Sequence, residues 1–371
     1  MSWTAGLLAL VFALPAGAAK TPVSSQEAAE HGPRPVALFY MTSDPGSIRD
    51  FFAHSSQIDL LVPTWYQVDE NGLVTGEPEP AVLAQAHSEK LPVEPIVALF
   101  NKRSFHRLAS SAAAQDEMNA ALIRECKLHG YVGIQFDLEN IEWTDRDLLS
   151  AMVTKSAAAL HRAGFKVSIA TVPNAPGYPA NGGFAKWIYT DWRGAYDLAA
   201  LAKAVDLVCL MTYDQNTRWT TPGPVAGWPW TVDNMQYALQ FVPKEKLSLG
   251  IPVYGYHWYT GAPIVTAGAH EGDSSSEKPN PTADYIGAPD ALQLAHDWQG
   301  KIQWDDEDRT AWFYFYRDQM REWVFFTDLR TFRERYELAQ QNGLEGFCSW
   351  VLGQEDPSIW TFLPKRERSR E

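Results

Sequence analysis

The chain has 371 residues, of which 46% are hydrophobic and 20% charged, and carries a net charge of -14. An acidic surface argues against nucleic acid or anionic lipid as a partner, because both recruit basic patches. No stretch reaches the roughly 20 apolar residues needed to span a membrane.

In chain order, the first feature is the apolar run Leu7 to Leu14, followed by the small residues Ala16-Gly17-Ala18. No Lys or Arg precedes the run, but run and small residues together match a secretory signal over residues 1–18. Export to the periplasm or the exterior is therefore expected, with residues 19–34 as a linker. One rhythm then repeats: a short apolar run ends in polar or aromatic residues, and a helical stretch follows. The runs are Val36–Met41, Asp59–Tyr66, Pro95–Phe100, Val132–Glu139, Lys166–Val172, Val205–Tyr213, Leu247–Val253 and Gly346–Leu352. Continuous apolar runs of this length suit parallel strands buried on both faces. Helices are expected at Gln115–Leu128, Asp145–Ala163, Tyr189–Ala204 and Val232–Phe241. Eight strands alternating with helices predict an α/β fold, a (β/α)8 barrel over residues 35–364.

The interval between strands seven and eight is far longer than a usual connection. It predicts a small α+β insertion over about residues 259–327, lying over the C-terminal rim where barrel active sites sit. Within it, Ala267–Pro281 is rich in Gly, Ser and Pro, Asp290–Trp298 is helical, and Thr310–Tyr316 with Glu322–Phe326 forms a hairpin turning at Arg317–Gln319. A helix over Thr331–Gln341 leads into strand eight. Residues 365–371 form a basic tail. Cys126, Cys209 and Cys348 fit no metal spacing, and the last two are expected to pack inside strands. Nothing in the sequence sets an oligomeric state.

The strongest chemical signal lies in strand four. Side chains alternate along a strand, so Ile134, Phe136 and Leu138 face the helices while Gln135, Asp137 and Glu139 face the barrel axis. Two carboxylates on one face repel when both are ionised, so one pKa should rise. Such a pair suits general acid/base work. The bland alternative is a salt-bridged pair at the strand end.

Val132 to Glu139 resembles the D-G-x-D-x-D-x-E signature of glycoside hydrolase family 18. Met211-Thr212-Tyr213-Asp214 resembles the family's M-x-Y-D, and Trp350 matches its sugar-stacking Trp on strand eight. Gly353 to Trp360, Tyr213-Asp214-Gln215, Pro222-Gly223-Pro224 and Tyr254-Gly255-Tyr256-His257-Trp258 resemble the bacterial spore-germination and polysaccharide-deacetylase-fusion branches. The resemblance covers residues 35 to 363. It implies Glu139 as acid/base and Asp137 as the carboxylate that orients the substrate acetamido group. It implies Tyr213 as a donor to the acetamido oxygen, Asp214 as a contact to sugar hydroxyls, and Met211 in the same site. The implied reaction is retaining and substrate-assisted, with no metal and no cofactor, on an N-acetylhexosamine polysaccharide or oligosaccharide.

Two positions depart from the signature. Val132 replaces its first Asp near the start of the strand. Gln135 replaces its second and can hydrogen-bond Asp137 without sharing a proton. Tyr40, Trp65, Tyr66 and Asn101 end strands one to three, Asn174 follows strand five, and Tyr256 and Trp258 follow strand seven. All are further candidates for lining the cleft, with core or rim packing as the alternative. His257 is expected to be a bystander. The competing readings are a chitinase-like binding protein that has lost catalysis, a peptidoglycan or spore-cortex hydrolase, and a hydrolase of partially deacetylated poly-N-acetylglucosamine.

Overall fold

The computed structural model describes residues 33–174, 181–259 and 283–366. The eight apolar runs are the eight parallel strands of the barrel: β1 (Val36–Met41), β2 (Leu60–Pro63), β3 (Ile96–Leu99), β4 (Gly133–Leu138), β5 (Lys166–Thr171), β6 (Leu207–Leu210), β7 (Leu247–Pro252) and β8 (Gly346–Trp350). Adjacent strands pair in the order β2, β1, β8, β7, β6, β5, β4, β3. A parallel bridge between Leu61 and Val93 closes the circle. There the Leu61 amide donates to Pro92 O at 3.0 Å, and the Glu94 amide donates to Leu61 O at 2.9 Å. The second expected strand breaks at Thr64-Trp65 and resumes at Tyr66–Val68, which pairs in parallel with β3.

Alternation along these strands builds two cores. Outward residues such as Ile134, Phe136 and Leu138 join the helices in the main core, where Met118, Leu122 and Cys126 supply the facing stripe of helix Ala112–His129. Ser111 caps the start of that helix, and Gly130 ends it in the left-handed conformation. Inward residues Leu38, Tyr40, Val62, Ile96, Ala98, Cys209 and Cys348 pack along the barrel axis. Cys209 and Cys348 are thus free, fully buried packing residues.

The helix expected over Tyr189–Ala204 is interrupted. A short helix, Gly183–Ile188, runs into a π turn at Tyr189–Arg193, and a second helix, Leu198–Ala204, starts afresh after Asp197. Gly194 sits at the break, where any Cβ would lie 2.7 Å from Tyr189 O and 2.8 Å from the Trp143 side chain. Asp197 then caps the second helix by accepting from the Ala200 amide at 3.0 Å. The Val232–Phe241 expectation is met by a helix set earlier, Trp228–Ala238, with Pro in its first turn.

The insertion forms an antiparallel five-stranded sheet in the order Ala283–Gly287, Tyr254–Trp258, Met320–Phe326, Thr310–Arg317, Gln303–Asp305. Its sheet therefore begins at Tyr254, upstream of residue 259. Helix Ala288–Asp297 covers one face, burying Ala288, Ala291 and Ala295 against Phe313, Phe315, Val324 and Phe326. The hairpin closes with Arg317 opposite Met320. Asp318 and Gln319 both take positive φ (49° and 65°), the pattern of a two-residue type I′ turn, whose twist matches the strands. Residues 1–18, the Ala267–Pro281 stretch and all but two residues of the basic tail lie outside the described residues.

Candidate active site

Strand β4 carries Asp137 into the C-terminal mouth of the barrel, with Glu139 just past the strand end. Tyr40 from β1, Met211, Tyr213 and Asp214 from the loop after β6, and Trp350 from β8 converge on the same cavity of about 280 Å³. Tyr213 owes its place to a glycine: a Cβ on Gly250 of β7 would press to 3.1 Å from the tyrosine ring and 2.4 Å from Leu210 O. The Trp350 ring is half-buried at the cavity edge, tilted 52° against Tyr40 with ring centres 5.4 Å apart.

The electrostatics follow from burial. Burial holds the Asp137 carboxyl well above its usual range, and the neighbouring Glu139 charge adds to the effect. Burial and then the Asp214 charge push Glu139 up to about 7. Asp214 is raised by burial too, but donors pull the other way: Tyr254 Oη at 2.6 Å and Tyr256 Oη at 3.4 Å. The backbone of Asp214 is left-handed (φ 61°), an uncommon state for a non-glycine residue. The hydroxyls of Tyr254 and Tyr256 hold its carboxylate in that conformation. The cavity thus offers a carboxyl that is half protonated near neutral pH, a second buried carboxyl beside it, a tyrosine hydroxyl, and aromatic walls.

The other expected residues fall elsewhere. Gln135 lies inside the barrel beneath the cavity; its amide donates to Ser168 Oγ at 2.9 Å and to Cys209 Sγ at 3.2 Å, and no hydrogen bond joins it to Asp137. Trp65 packs against Tyr131 (centres 6.0 Å apart) at the strand break. Asn101 caps helix Lys102–Ser110 by accepting from the Ser104 amide. Asn174 opens on a neighbouring recess of about 120 Å³ with Arg146 and Tyr196. Tyr256 bears on the site through Asp214 and through its edge-on contact with Tyr254. Trp258 is buried and donates to Thr220 O at 3.0 Å, tying the insertion to the loop after β6. His257 sits 2.6 Å from Glu322 inside the insertion sheet, away from the cavity.

Five lining residues were not among the expected site residues: Phe100, Ala170, Val172, Trp192 and Tyr254. Tyr254 was findable, since strand alternation puts it on the same face as Tyr256 and Trp258. Trp192 lies within the π turn, which the sequence did not reveal.

A family model matches most of the chain. Residues 51–355 match Glycosyl hydrolases family 18. The chain belongs to this family. The family 18 chain is 23% identical over 334 residues to the uncharacterized glycosylase YvbX of Bacillus subtilis, covering 88% of this chain and 90% of that one. It is likewise 23% identical over 304 residues to the cortical fragment-lytic enzyme of Bacillus subtilis, covering 80% of this chain and 65% of the relative. Its fold matches a chitinase from Chromobacterium violaceum (TM-score 0.76, 23% identity, 89% and 98% of the two chains). It also matches the spore cortex-lytic enzyme SleL of Bacillus megaterium (TM-score 0.76, 20% identity, 91% and 76%). The protein is a glycosidase of this family with the expected (β/α)8 barrel.

Proposed function

We propose that this family 18 glycosidase is an exported hydrolase that cleaves β-linked N-acetylhexosamine polymers with retention of configuration. The observation that carries the reading is the convergence of Asp137, Glu139 and Tyr213 on one cavity that Trp350 also lines. Asp137 and Glu139 rise from one face of one strand, so they serve the same side of a bound sugar. The family resemblance implies that the nucleophile comes from the substrate, whose 2-acetamido oxygen attacks C1. Protonated Glu139 donates to the glycosidic oxygen as that bond breaks. Asp137 accepts from the acetamido N–H and stabilises the positive charge that develops on the ring formed by attack. Tyr213 donates to the acetamido oxygen. Glu139, now ionised, takes a proton from the water that opens the intermediate. Asp214, held by Tyr254 and Tyr256, contacts sugar hydroxyls.

The relatives' names include both chitinases and spore cortex enzymes, so peptidoglycan glycan, chitin-like chains and poly-N-acetylglucosamine are the substrates to separate. Purified protein is incubated with each, with Glu139→Gln alongside, and products are read by mass spectrometry. Cleavage by wild type and not by the variant supports the hydrolase, and the polymer cut names the substrate. Equal glycan binding by both with no cleavage would replace it with a sugar-binding protein.

A further inference from the structure

Two buried oxygens on the inward face of β4, Gln135 Oε1 and Asp137 Oδ1, have no hydrogen-bond donor among the described residues. Buried orphan acceptors are costly. The two residues are neighbours on that face, about 7 Å apart along the strand, within reach of a glutamine side chain. Two acceptors cannot satisfy each other, but one proton between them satisfies both.

The other end of the Gln135 amide is already fixed. Its Nε2 donates to Ser168 Oγ at 2.9 Å, and Ser168 Oγ donates to Glu94 Oε1 at 2.5 Å. While Glu94 is ionised and takes the Ser168 proton, Ser168 offers Gln135 only lone pairs, and the amide faces it with its NH2. The carbonyl oxygen is left as the free end. We propose that Glu94 and Ser168 orient Gln135 as the acceptor for a proton on Asp137 in the substrate-free protein. Gln135, Ser168 and Glu94 are then positioning residues that reach the site through Asp137.

The groups that bear on Asp137 are Glu139 on its own strand, Tyr40 on β1, Tyr213 after β6, and Tyr196. Those that bear on Glu94 are Ser168 and Lys166 on β5, Asp206 ahead of β6, Cys209 on β6, and Cys126 on the helix before β4. The burial that lifts Asp137 agrees with a neutral resting carboxyl. The inference rests on the proposed reaction only for its consequence: a neutral Asp137 spares Glu139 a negative neighbour before substrate arrives.

The test reads Asp137 directly and needs no turnover. Protein labelled with carboxyl-13C aspartate is titrated by NMR, with the Asp137 signal assigned by its loss in Asp137→Asn. In Ser168→Ala the amide keeps only its Cys209 Sγ contact. It can turn its NH2 toward Asp137 and favour the carboxylate, so the midpoint should fall by about one pH unit. Ser168→Thr keeps the hydroxyl and should titrate with wild type. Gln135→Met, which keeps the volume and removes the acceptor, should also lower the midpoint, and it decides the matter if Ser168→Ala does not fold. An unmoved midpoint in Ser168→Ala or Gln135→Met overturns the proposal, as does an equal fall in Ser168→Thr. Glycan cleavage is assayed on the same samples. Shifted midpoints in a protein that cleaves nothing would remove the hydrolase reading and leave this one standing.

Discussion

At the scale of the residue, the site is a set of carboxyls tuned by burial and by one another. Glu139 near 7 is protonated below that value, and a general acid must start protonated. Activity (kcat/KM) on a soluble N-acetylglucosamine oligosaccharide should therefore fall as pH rises through about 7. Glu139→Gln should lower kcat by about 10²-fold to 10⁴-fold. Tyr254→Phe removes the short hydrogen bond to Asp214 and should reduce kcat/KM about tenfold, a loss of roughly 1–2 kcal/mol. Circular dichroism of that variant should match wild type, because the ring packing against Tyr285 is kept. The inward carboxylates were legible because alternation along β4 fixes which side chains face the axis. Trp65, Asn101 and Trp258 were less so. Position at a strand end does not say where a side chain turns, and each met a local partner: a ring, a helix amide, a loop carbonyl.

At the scale of the element, Arg335 joins parts that the sequence kept apart. It lies on helix Leu329–Gln341, fully buried, and donates to Ala226 O at 2.6 Å, to Asp308 O at 2.9 Å and to Arg309 O. Ala226 ends the loop after β6, whereas Asp308 and Arg309 belong to the insertion. Burial lowers the Arg335 pKa to about 10, and these carbonyls, with the nearby Glu334 and Asp308 charges, offset part of the cost. Arg335→Met keeps the bulk and strands three buried oxygens, so it should cost about 3 kcal/mol or more. Denaturant melts read by circular dichroism would measure this. The terminal run Gly353 to Trp360 finds a structural explanation at this scale. Glu355 accepts from the Gly353 amide at 2.8 Å and the Gln354 amide at 3.1 Å, and from Trp360 Nε1 at 3.0 Å. That run is a folded corner whose acid serves the backbone. The helix expected at Tyr189–Ala204 misled for a related reason. Its periodicity is real, but the crowding around Gly194 and the Asp197 cap divide it, and neither shows in hydrophobic spacing.

At the scale of the whole molecule, three glutamates buried in separate places share one direction. Burial raises Glu94, Glu139 and Glu355 each to about 7. The folded chain thus holds protons that the unfolded chain releases at ordinary glutamate values, so stability falls as pH rises between that range and about 7. Thermal melts across this window should give a Tm that declines with pH, and Glu355→Gln should flatten the decline. The barrel itself was legible almost strand for strand, because parallel strands covered on both faces leave unbroken apolar runs. Its closure was not: the break at Thr64-Trp65 lies inside one such run. It leaves Leu61, with one donated and one accepted backbone bond, to join β2 to the segment before β3. The barrel is therefore a ring with a clasp. Under native conditions the clasp should be the first part of the ring to open, with the Leu61 and Glu94 amides trading their hydrogens for deuterium well before those of β7 and β8, which share a continuous ladder.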